Sequence, residues 1–167
     1  MTLGQLKRAW KANADEDRYR RGIYTFFWRA TPHPALAVFD APDAFSACTR
    51  RMRSNTPLQA LTLLNDDAFV EFSQALAERV VSEAPKADAA RLQLAFRLCL
   101  SRSAAPDESQ RLLALLGQER AALEESPQEA AALWSRKPDA RTDVKQLAAW
   151  TTVSRVLLNL DETITRE

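Results

Sequence analysis

The side chains best equipped for chemistry crowd one short stretch: Asp40 and Asp43, then Arg50, Arg51, Arg53, Asn55, Thr56 and Gln59. Arginines just ahead of a helix start suit an anion such as sulfate, phosphate or carboxylate. Their guanidinium forks offer paired donors, and the first helical turn adds free N–H groups and partial positive charge. Arg50, Arg51, Arg53 and Asn55, with Asp40, are therefore the candidates for binding an anion or a partner. A structural role competes and fits better. The arginines would pair with Asp40, Asp43 or Asp66 and fasten a loop, while Thr56 and Gln59 serve as helix caps. Asp40, Asp43, Asp66 and Asp67 are the residue types for acid and base in glycoside cleavage, yet their spacing sets no separation. No catalytic residue is assigned.

Other chemistries lack their ligands. His33 is the one histidine and stands between Pro32 and Pro34, where an exposed loop position is expected. Alone it makes neither a triad nor a zinc site. With Met52 it could reach a haem iron only as an axial ligand to a group held elsewhere. Cys48 and Cys99 are the only cysteines. They form no C-x-x-C-H for haem attachment and no clustered metal site, so no cofactor is expected. Cys99, inside an apolar helical run, reads as a small buried hydrophobe. Tyr24, Phe27, Trp28 and Trp10 beside Arg20, Arg21 and Arg29 have the chemistry for stacking on nucleic acid. Their helical spacing points instead to core packing with an arginine rim, and nucleic acid is not an expected partner.

The elements that must carry these residues are helical. Among 167 residues the chain has 29 Ala, 22 Leu and 18 Arg against 3 Gly. That balance favours helices, in which Gly loses most, and disfavours a sandwich or barrel with its many turns. At 46% hydrophobic and 27% charged, the composition is that of globular proteins. The net charge of +1 provides no global field for nucleic acid or lipid. It is uneven, however. Residues 1–55 carry 10 Lys or Arg against 5 acids, and the remainder 13 against 17. No apolar run approaches the length of a membrane span, and the first ten residues lack a signal peptide's apolar core.

Punctuation divides the chain into an all-α domain of about six helices. Residues 1–16 read as a poorly ordered leader and 17–167 as a single helical domain. From 17 to 30, Tyr19, Ile23, Phe26 and Phe27 fit a helical face, with a strand as the alternative. Pro32, Pro34 and Pro42 then impose a long ordered loop near residues 31–55, which Leu36, Val38, Phe39 and Phe45 would pin to the body. Thr56, Pro57 and Gln59 spell a capping box with proline at the first helical position. A break is expected near Asn65, Asp66 and Asp67. Further helices follow from Asp88, from Pro106, from a second capping box at Ser126 to Glu129, and from about Thr142 to Leu160.

The strings RYRRGIYTFFWRATPHPALAVFDAPD, SACTRRMRSNTPLQALTLLNDDAFVE and AAWTTVSRVLLNLDETITRE carry a resemblance across about residues 17–167, strongest at RSNTPLQALTLLND. They are similar to the planctomycete-type domain of unknown function 1553, of the cytochrome c-associated PSD family, in its C-terminal portion. The chain reads Asp67-Ala68 where that family has Asp-Pro. The resemblance implies a module of a larger exported, cell-envelope protein whose cytochrome c-like and middle domains would be its partners. It implies no activity. Two functions follow as expectations: a non-catalytic helical module that docks on those domains, or part of a hydrolase-like envelope enzyme whose site those domains complete.

Overall fold

Proline and short polar caps set the helix starts in the computed structural model, which describes residues 10–28, 31–50, 52, 54–134 and 143–165. All regular elements among these residues are helical, with no strand. The chain divides into two compact units, residues 1–59 and residues 60–167.

The first unit has little regular structure. Where a helix is expected from 17 to 30, the described part, residues 17–28, holds two 3-10 turns instead, Glu16–Tyr19 and Gly22–Tyr24, and residues 29 and 30 lie outside the described residues. Extended backbone at Arg20, Arg21 and Thr25 separates and ends them. Aromatic spacing alone stabilises no helix; burial of the apolar face does that, and here the face is open. Tyr19, Ile23, Tyr24, Phe26 and Phe27 are all exposed, Ile23 by 83% and Phe26 by 69%. The expected core packing of Tyr24 and Phe27 is thereby corrected. A short helix interrupts the expected loop: α1, Pro34–Val38, opens on a proline at its first position, where a missing N–H costs nothing. Asp40 ends it with φ 55°, and the Ala41 N–H reaches back to the Leu36 carbonyl at 2.9 Å. Helices commonly stop this way, with glycine or another short residue in the left-handed region.

The helix α2, Pro57–Asn65, leads into the second unit. Asp66 caps α3, Asp67–Glu83, by accepting the Ala68 N–H at 2.9 Å, which gives the expected break its cause. The helices α4, Asp88–Leu100, and α5, Pro106–Glu125, follow. Glu108 accepts the Ala105 N–H at 2.7 Å, the carboxylate half of a capping box. The box expected at Ser126 does not form. The Ser126 side chain makes no cap bond to α6, Pro127–Leu133, and Glu129 N–H goes to the Ser126 carbonyl. Asp143 caps α7, Val144–Leu158, and a last turn, α8, spans Asp161–Ile164.

The second unit is organised around α7, which packs against α3, α5, α6 and α4. Leu147 through Thr151, Val153, Ser154 and Leu157 of α7 are buried. Of these, Ala148, Ala149, Trp150, Val153 and Leu157 meet Ala77 and Val80 of α3, Leu92, Ala95 and Phe96 of α4, Leu116 and Leu123 of α5, and Ala130 of α6 in one core. Helix ends are tied by polar side chains. Gln74 Nε2 donates to the Leu133 carbonyl at 2.8 Å, and Arg155 donates to the Leu64 carbonyl at the end of α2. No helix among the described residues is long and apolar enough to cross a membrane.

Candidate functional site

Within the stretch singled out from the sequence, Asp40, Ser54, Thr56 and Gln59 form a polar knot inside the first unit. Thr56 Oγ1 accepts the Gln59 N–H at 3.2 Å, and Gln59 Oε1 accepts the Thr56 N–H at 3.0 Å. This is the capping box read from the sequence, with both reciprocal bonds made. Gln59 goes further. Its Nε2 donates to the Val38 carbonyl at 2.9 Å, to Ser54 Oγ at 3.0 Å and to Asp40 Oδ2 at 3.3 Å. Asp40 Oδ2 also accepts the Ser54 N–H at 3.0 Å and the Ser54 hydroxyl. The knot thus joins the end of α1 to the start of α2.

Gln59 is 1% exposed and is the one buried side chain among the described residues of the first unit. A buried amide costs free energy unless its donors and acceptor are all used, and this one uses them. Asp40 holds an oxygen against three donors and acts as an acceptor that fixes chain geometry. Of the other nominated residues, Asn55 and Arg50 are exposed. Arg50 makes no ion pair among the described residues, which corrects its expected link to Asp40, Asp43 or Asp66. Asp43 instead accepts the Phe45 N–H at 3.0 Å. Arg51 and Arg53 lie outside the described residues.

Sequence reasoning missed Ser54, which connects Asp40 to Gln59, and it misplaced His33. That histidine is half-buried, not an exposed loop residue. It meets the Trp10 ring edge-on at 4.9 Å, with Nδ1 buried and no hydrogen bond made to it. Trp10 stacks on Trp28 at 4.7 Å, and its indole N–H is shared between the Thr31 and Pro32 carbonyls. The signal available was the pairing of Trp10 with a proline-stiffened segment, an apolar surface that favours stacking.

The second unit holds ion pairs that link one helix to another. Arg102 forks onto both Glu108 oxygens at 2.7 Å and onto Glu162 at 2.8 and 2.9 Å, joining the start of α5 to α8. The hydrogen bonds from Arg102, with the Ala105 N–H, hold the Glu108 carboxyl down to about 2. Arg120 pairs with Asp88, and that hydrogen bond lowers the Asp88 carboxyl below its usual value. Cys99 packs against the core, where burial pushes its thiol up to about 11. Such a thiol is a packing group with little thiolate character. Cys48 is exposed. Among the described residues, no three His, Cys, Asp or Glu side chains are grouped to hold a metal ion.

The architecture is thus an all-α one, with a helical core in one unit and, in the other, a polar knot beside exposed aromatics. A family model described as PSD1, protein of unknown function (DUF1553), matches residues 2–116. The chain belongs to that family. The matched stretch begins well ahead of residue 17, where the resemblance read from the sequence starts, and includes the whole of the knot; the C-terminal string that carried part of the resemblance lies beyond it. No curated protein and no solved structure matches the chain.

Proposed function

We propose that this chain is a non-catalytic helical module of a larger exported protein, and that it works by docking against that protein's other domains. One observation carries the reading. Among the described residues ten large hydrophobic side chains are exposed, and eight of them lie between Tyr19 and Leu58. Isolated exposed apolar residues are ordinary, but a concentration of them in one region marks an interaction surface. Asp40, the acid nominated for chemistry, is committed to Ser54 and Gln59, which supports a structural role for the knot.

The test is direct binding. The cytochrome c-like and middle domains of a longer family member, purified as one piece, are titrated with this chain in a calorimeter. The expected result is a saturable one-to-one association. Absence of heat at high micromolar concentration, with both partners folded by circular dichroism, would overturn the docking reading.

A further inference from the structure

We draw no further inference here: the strongest candidate, the buried guanidinium of Arg91 at the start of α4, is held within the fold by the Val81 carbonyl at 3.4 Å and Asp88 at 3.9 Å, and nothing beside it points to a ligand.

Discussion

Residues 60–167 and residues 1–59 use apolar side chains in opposite ways. Every buried hydrophobic side chain among the described residues, from Leu63 to Leu157, belongs to the later stretch. Among its described residues the earlier one has Gln59 as its single buried side chain and leaves Ile23, Tyr24, Phe26, Phe27, Phe45 and Met52 at the surface. One stretch holds itself together by burial, the other by hydrogen bonds and short aromatic stacks. Apolar content therefore tells little about stability until its location is known. Burying a large side chain contributes about 1.5–3 kcal/mol, whereas the same side chain left in water is free to act elsewhere.

Substitution can break this contrast, and the largest effect is expected in the core. Trp150→Ala, at a fully buried position of α7, should cost about 3–5 kcal/mol, read as a large fall in thermal melting. Phe26→Ala, equally aromatic but exposed, should stay within about 0.5 kcal/mol of wild type. A large loss at Phe26 would show that the first unit buries it after all. Gln59→Ala comes next, at about 1–3 kcal/mol, because Asp40, Ser54 and the Val38 carbonyl lose their common donor. Hydrogen exchange should place that loss in residues 36–59 and spare α7; uniform acceleration across both units would contradict a local knot.

Acid sharpens the comparison through Glu108. Its folded carboxyl is held at about 2, below the unfolded value of about 4.3. The stability it contributes is fully present above the unfolded value and is lost as pH falls through the folded one. Melting measured from pH 5 to pH 2 should decline less steeply in Glu108→Gln than in wild type, and parallel curves would remove Arg102 as the cause. The smallest effect is a gain. Ser101 ends α4 with φ 58°, a left-handed conformation that glycine adopts without a Cβ penalty, so Ser101→Gly should add about 0.5–1 kcal/mol. No gain on melting would mean that the Ser101 backbone is unstrained.

What the sequence disclosed follows the range of each interaction. The Thr56–Gln59 box, the prolines opening α2, α5 and α6, and the Asp66 cap were all legible, since each involves neighbours within a few positions, whereas Pro34 reads as loop in the sequence and opens α1. The family match over residues 2–116 agrees with the resemblance carried by the string around that box. Within the candidate site, Asp40 was singled out but its role was not. Its partners Ser54 and Gln59 lie 14 and 19 positions away, and only the fold brings them together. Arg102 and Glu162, 60 apart, are illegible for the same reason. Residues 17–30 misled because helical spacing of aromatics was read as burial, and no apolar surface covers Ile23 or Phe26.

The position of α7 along the chain has a consequence for how the protein is made. This helix supplies the centre of the core, yet it lies at residues 144–158, after every helix it must hold together except α8. A ribosome delivers residues at about 5–20 per second from the N-terminus. During translation α3, α4 and α5 therefore emerge with Val80, Phe96 and Leu116 facing water, and the core closes when α7 arrives. Until then the nascent second unit is a substrate for chaperones and proteases. A chain cut back to the matched stretch, residues 2–116, would remain in that open condition for good.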